Sequence, residues 1–136
     1  MASELRVDTI KTADGSTASI GTSFVANGSA KCSIKFDGAS ATAAEDLAGE
    51  SYSFNVSSLV DVSTGRYKIN INNDMTDGDY AISHAVSPTS GGSSDLVPFI
   101  DNSTNPPAAG SFGVMAVRAS FADPAIVCSL VHGDLA

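Results

Sequence analysis

At 136 residues and 13.7 kDa the chain has room for one domain, because a single core usually serves about 100 to 200 residues, and a two-domain enzyme is excluded. Seven Lys and Arg against fifteen Asp and Glu give a net charge of −8, which argues against nucleic acid or an anionic membrane as partner. The 31 Leu, Ile, Val and Phe residues make about 23 per cent of the chain, just above the level of roughly 20 per cent below which chains tend to stay disordered, so the core is expected to be thin.

In chain order, Leu5 to Ile10 is interrupted by Arg6 and Asp8, so neither a secretory signal nor a transmembrane helix is expected there. Turn pairs follow at Asp14-Gly15, Asn27-Gly28 and Asp37-Gly38, and later at Asp77-Gly78. Residues 1–30 read as an arm with a hairpin and 31–136 as one β domain. Cys32, Ile34 and Phe36 alternate with Lys31, Ser33 and Lys35, the period-two pattern of a strand with one buried face. Ala41 to Gly49 is permissive for one helical turn at most.

Phe54 and Val56 are expected in one strand ahead of the Thr64-Gly65 turn, and Tyr67, Ile69 and Ile71 alternate with polar residues in the next. Tyr80 and Ile82 open another, so an antiparallel meander is predicted. Ser87 to Gly110 reads as a long loop containing a short strand around Leu96, Val97, Phe99 and Ile100; loops of that length are usually functional or mobile. The last two predicted strands, Phe112 to Phe121 and Ala125 to Val131, are apolar on both faces.

Leaving Met115, Val117, Val127 and Val131 in water would forgo roughly 1.5 to 3 kcal/mol per large side chain. A second sheet of the same chain could cover them, or copies of the chain could pack around an axis. A homo-oligomer with these four residues at the subunit interface is the expectation carried forward. The fold class is all-β, a small antiparallel sandwich or barrel-like knob.

Catalytic patterns are missing: there is no Gly-x-Ser-x-Gly, no His-Glu-x-x-His and no Cys-x-x-Cys. His84 and His132 each stand singly near a strand end, and no catalytic residue is assigned. Asn72, Asn73, Asp74, Asp77 and Asp79 form an oxygen-rich cluster whose spacing departs from a calcium loop, so a solvated turn is expected rather than a metal site. Cys32 and Cys128 read as small hydrophobes within strands rather than as a disulfide. No metal or cofactor is expected.

Three stretches together carry a resemblance. Ser3-Glu4-Leu5-Arg6-Val7-Asp8-Thr9-Ile10-Lys11-Thr12-Ala13-Asp14-Gly15 resembles the opening of small virion and tail-fibre proteins of marine phages, especially those of cyanobacteria. Ser53-Phe54-Asn55-Val56-Ser57-Ser58-Leu59-Val60-Asp61, continuing through Gly65-Arg66-Tyr67 and Met75 to Tyr80-Ala81, is similar to a knob pattern of that family. Ala122-Asp123-Pro124-Ala125 and the apolar run to Gly133 are similar to its ending. The chain departs from the pattern where Cys32 and Ile34 replace a usual tryptophan and where Ala39 to Glu50 is lengthened.

The resemblance implies a trimeric, non-enzymatic phage surface protein: an N-terminal extended arm and a β knob forming a homotrimer. Leu5, Arg6, Val7, Asp8, Thr9 and Ile10 would then anchor it to another virion protein, by strand addition. Val97, Phe99 and Ile100 would face a host surface glycan. A short tail fibre or fibre tip is the first reading and a capsid decoration or head-fibre protein the second; a small carbohydrate-active enzyme is a minor third. The expected location is the virion, after synthesis in the host cytoplasm, without nucleic-acid binding or membrane insertion.

Overall fold

The structure, a computed structural model, describes residues 9–11, 19–21, 28–40, 50–88 and 96–136. The Ala41 to Gly49 helical turn, the Asp14-Gly15 turn and the anchoring residues Leu5, Arg6, Val7 and Asp8 lie outside the described residues. The described part is all-β, with two antiparallel four-stranded sheets packed as a small sandwich and a separate two-stranded hairpin.

The hairpin pairs β1 (Thr9–Lys11) with β2 (Ser19–Gly21), setting Thr9 opposite Gly21 and Ile10 opposite Ile20. The first large sheet has the order β4-β3-β10-β7, built from β3 (Cys32–Phe36), β4 (Glu50–Phe54), β7 (Ala81–Ser87) and β10 (Ile126–His132). The second has the order β5-β6-β9-β8, from β5 (Val56–Ser63), β6 (Arg66–Ile71), β8 (Val97–Ile100) and β9 (Ser111–Val117). Each sheet turns one face inward. Cys32, Ile34, Phe36, Val127 and Val131 from the first meet Leu59, Tyr67, Ile69, Phe112 and Val114 from the second in one core. Phe36 and Tyr67 touch edge to face across it, with ring centroids 5.1 Å apart.

The alternation predicted for β6 is obeyed, because the buried face has the strand's period of two; in β3 Cys32, Ile34 and Phe36 are buried as predicted, but Ser33 between them is buried as well. Two glycines are required by their surroundings. Gly65 turns β5 into β6 at φ 65°, where a side chain would also meet the Ala122 backbone nitrogen at 2.7 Å. At Gly38 a Cβ would lie 2.6 Å from the Tyr67 hydroxyl and 2.8 Å from Pro124.

Three expectations are corrected. Phe54 and Val56 do not share a strand: Phe54 ends β4 in one sheet and Val56 begins β5 in the other. The chain changes sheet at Asn55, whose φ of 57° is left-handed. Asn55 is fastened there by its own amide, which donates to the Lys31 and Asn73 carbonyls at 2.9 and 3.1 Å and accepts from the Asn73 backbone N–H at 2.7 Å. The meander also stops after β6, which pairs with β9 instead of β7. Val127 and Val131 are fully buried inside the single chain, covered by its own second sheet, and so cannot line a subunit interface. They sit on the inner face of β10 because their register partners, Phe36 and Cys32, do.

Candidate functional site

With the inner faces closed on each other, the surface that the two large sheets themselves leave for a partner is their two outer faces. Antiparallel pairing puts directly opposed residues on the same face, so the rows of the first outer face follow from the register. One row runs Phe54, Ser33, Leu130, Ser83 and the next runs Tyr52, Lys35, Cys128, Ala85. Ile126 and His132 continue β10 at either end, opposite Ser87 and Ala81. Tyr52 is 58 % exposed, Phe54 54 % and Leu130 45 %, whereas Ser33 between Phe54 and Leu130 is nearly covered. The face therefore slopes from aromatic rings on β4, through aliphatic side chains on β10, to alanines and serines on β7. Cys128 lies on this face and Cys32 on the opposite, buried one; both are free thiols, and burial pushes that of Cys32 up to about 11.

The second outer face gathers residues that the sequence assigned to different tasks. Phe99 stands opposite Met115 and Val97 opposite Val117, so two of the three glycan-facing residues and the two remaining interface residues form one patch on neighbouring strands. Ile100, opposite the buried Val114, is at the edge of the core and partly exposed. Phe99 is 47 % exposed, and Val62 and Phe121 are also open to solvent. These positions belong to a strand rather than to a loop tip.

This patch rests on a partly buried ion pair. Arg66, opposite Met115 on β6, donates from Nη2 to Asp101 Oδ1 at 2.6 Å and from Nε to Oδ2 at 3.0 Å, and its guanidinium lies 5.1 Å from the centre of the Phe121 ring. Asp101 has no exposed side-chain surface and also accepts from the Thr104 N–H at 3.1 Å and the Ser103 hydroxyl at 3.0 Å. Burial alone would push its carboxyl up, but the Arg66 fork and these hydrogen bonds outweigh it and hold the group down to about 2. The ion pair fixes the turn after β8 and hence the attitude of Phe99. Sequence reading missed it; the trace available was Asp101-Asn102-Ser103-Thr104, a turn-forming run directly after an apolar strand.

The remaining polar groups are structural in placement. His84 lies on the inner side of β7, with Nδ1 2.8 Å from the Ser129 hydroxyl and its ring against Phe112; burial pushes it down to about 4. Ser129 is 2 % exposed, so this pair is out of reach of a substrate. At the other end of the core, Tyr67 donates to Asp123 Oδ1 at 2.9 Å, and Asp123 also accepts from the Gly65 N–H. The oxygen-rich stretch after β6 forms a turn in which Asp77 accepts from the Asp79 N–H and buried Met75 bridges to Leu135. It borders a cleft of about 320 Å³ lined by Asp77, Asp79, Tyr80 and Asp134. Among the described residues no three His, Cys, Asp or Glu side chains are placed to hold a metal ion, and no helix is long and apolar enough to cross a membrane.

No family model, curated protein or solved structure matches the chain. The functional reading rests on these surfaces and on the sequence resemblance.

Proposed function

We propose that the chain is a non-enzymatic structural protein of a bacteriophage virion, a homotrimeric β knob in a short tail fibre or fibre tip that serves host attachment. The observation that carries this reading is the set of large apolar side chains left in solvent on the outer face of β4-β3-β10-β7, although the core of the chain is already closed. Full burial of such a side chain contributes roughly 1.5 to 3 kcal/mol. Tyr52, Phe54 and Leu130 are about half exposed, so covering these three offers about 1 kcal/mol each, repeated in every copy. The virion setting is drawn from the resemblance of residues 3–15, 53–81 and 122–133. The arm, residues 1–30, would hold the knob on another virion protein, and the Val97 and Phe99 strand would offer apolar contact to a host glycan. Weak single contacts would then add up through effective concentration over three copies and many sites.

A capsid decoration or head-fibre role is the second reading, and the hairpin favours it. Thr9 lies opposite Gly21, so the end of β2 returns to the start of β1 and the pair adds almost no reach. The other 17 residues or so of the arm extend at most roughly 60 Å at about 3.3 Å each, which suits a short projection from a shell.

Light scattering at micromolar concentration should give about 41 kDa for three 13.7 kDa chains; a stable monomer removes the oligomer. Antibody labelling of intact particles should mark the tail on the first reading and the shell on the second. Particles without label would refute the virion assignment. Deleting Met1 to Thr12 should leave a folded knob that no longer joins particles, and normal incorporation would refute the anchoring role.

A further inference from the structure

We infer that the outer face of β5-β6-β9-β8 binds a carboxylated polysaccharide, with Lys68 and Arg118 meeting its charges and Phe99 and Phe121 stacking on its sugar rings. The inference rests on the attachment reading above and names the class of glycan. Charge is the first observation behind it. On a chain of net charge −8, three of the seven Lys and Arg gather here: Arg66 and Lys68 on β6, and Arg118 in the turn that brings Phe121 back opposite Val117. Their neighbours in register are uncharged, Ser63 and Met115 beside Arg66 and Val60 and Gly113 beside Lys68. Asp101 has no exposed surface, and Arg66 takes both its oxygens. Asp61, opposite the buried Tyr67, and Asp123, bonded to the Tyr67 hydroxyl, belong to the core side. Lys68 and Arg118 therefore have no ion pair among the described residues, and the face is locally positive on an acidic protein.

The direction of the chain is the second observation. Asn55 donates to the Lys31 and Asn73 carbonyls, so the point where the arm enters β3 and the point where β6 has just ended share one end of the sandwich. Arg66 begins β6 at the other end, about 17 Å from Ile71 along the strand. Val117, Val97 and Phe121 stand further out still. A knob held by residues 1–30 turns this end away from its anchor.

The rings and the cations together select a saccharide. Peptides bind sheets by adding a strand to an edge or by laying a helix in a groove. On the ring-bearing side the edge is β8, where Pro98 lacks the N–H that an added strand would need and β7 packs alongside. A nucleic acid would carry its charge well past two cations and into the field of an acidic chain. A carboxylated sugar polymer offers apolar C–H faces to rings that are 47 and 43 % exposed, and single carboxylates to single cations. Phe99 lies two strands from Arg66 in one row, and Lys68 two residues along β6, so the span from Phe99 to Lys68 is about 12 Å. One sugar ring is shorter than that, so the ligand is a polymer rather than a monosaccharide.

The test passes the whole chain over immobilised polygalacturonate, dextran and poly-glutamate at 0.15 M salt, with circular dichroism to confirm that each variant folds. Polygalacturonate should retain the wild type and the other two should not. Salt at 1 M, where the screening length falls to about 3 Å, should release it. Lys68→Gln and Arg118→Gln should each weaken retention about 1.5- to 5-fold, the range of an exposed ion pair. Phe99→Ala, at an exposed position, should weaken it too, and Lys35→Gln, on the other outer face, should leave it unchanged. Equal retention on dextran, lost in Phe99→Ala and kept in Lys68→Gln, would overturn the acidic class and spare the glycan contact. Equal retention on poly-glutamate would overturn the saccharide in favour of an acidic peptide. A loss in Lys35→Gln as large as in Lys68→Gln would overturn the choice of face. Retention on none of the three would overturn this inference and the glycan contact together.

Discussion

Replacing Arg66 with alanine removes the charged partner of a carboxylate that has no exposed surface. Asp101 keeps the Thr104 N–H and the Ser103 hydroxyl, at 3.1 and 3.0 Å, but loses two charge-assisted bonds of 2.6 and 3.0 Å. Truncating one member of a buried ion pair costs about 3 to 5 kcal/mol. Because backbone donors remain, the loss should fall at the lower end, about 3 kcal/mol. The acid titration gives a second magnitude. The Asp101 carboxyl stands at about 2 in the folded protein against 3.8 as its ordinary value. A carboxyl held low stabilises the fold fully above the unfolded value and loses that contribution as the pH falls through the folded one. The difference is worth about 2 kcal/mol, lost between about pH 5 and pH 2. Urea unfolding at pH 7 should therefore show Arg66→Ala about 3 kcal/mol below the wild type, with a shallower decline between pH 5 and pH 2. Arg66→Lys, which keeps the charge and loses the fork, should lie between them. Phe121→Leu should cost less than about 1 kcal/mol, since it removes only the cation–ring contact. If Arg66→Ala unfolds within 0.5 kcal/mol (roughly the scatter of a neutral surface change) of the wild type, the pair does not secure the β8 turn and the reasoning fails.

Two further perturbations probe the core and the corner. His84 falls from 6.5 to about 4 on burial, so the unfolded chain takes up a proton first and stability declines as the pH drops from 6.5 toward 4, by about 3 kcal/mol in all; His84→Gln should flatten that window in pH-dependent melts, and an unchanged slope would place the ring outside the core. At Asn55, Asn55→Gly keeps the left-handed backbone and loses the amide contacts, whereas Asn55→Ala loses both, so chemical denaturation should find alanine about 1 to 2 kcal/mol worse than glycine; equal midpoints would show that the backbone conformation is not what selects asparagine there.

The sequence makes strands legible and hides their partners. Tyr67, Ile69 and Ile71 declare a buried face because each is flanked by polar neighbours, and the same holds for Cys32, Ile34 and Phe36. Phe54-Asn55-Val56 follows the same alternation, yet the chain changes sheet in the middle of it. The only local sign is that asparagine tolerates positive φ. Val127 and Leu130 look alike in sequence, but one is core and the other surface, because only the register against Phe36 and Ser33 separates the faces of β10. The pairing of β6 with β9, and of Arg66 with Asp101 35 residues away, leaves no periodic trace. The outer aromatic edge was legible as residues and not as a surface: Tyr52 and Phe54 alternate with serine, a pattern that serves either face.

The place of β10 in the middle of its sheet has a consequence for synthesis. Cys32–Phe36 waits for Val127–Val131, roughly 90 residues further along. At about 5 to 20 residues per second, a ribosome spends roughly 5 to 20 s between the two. During that interval β3 and β7 are flanks without a centre, their apolar sides open to any neighbouring nascent chain. A product that stops short of Ile126 is therefore no partial knob but two unjoined halves, and the last strand to be made is the one that turns them into a protein.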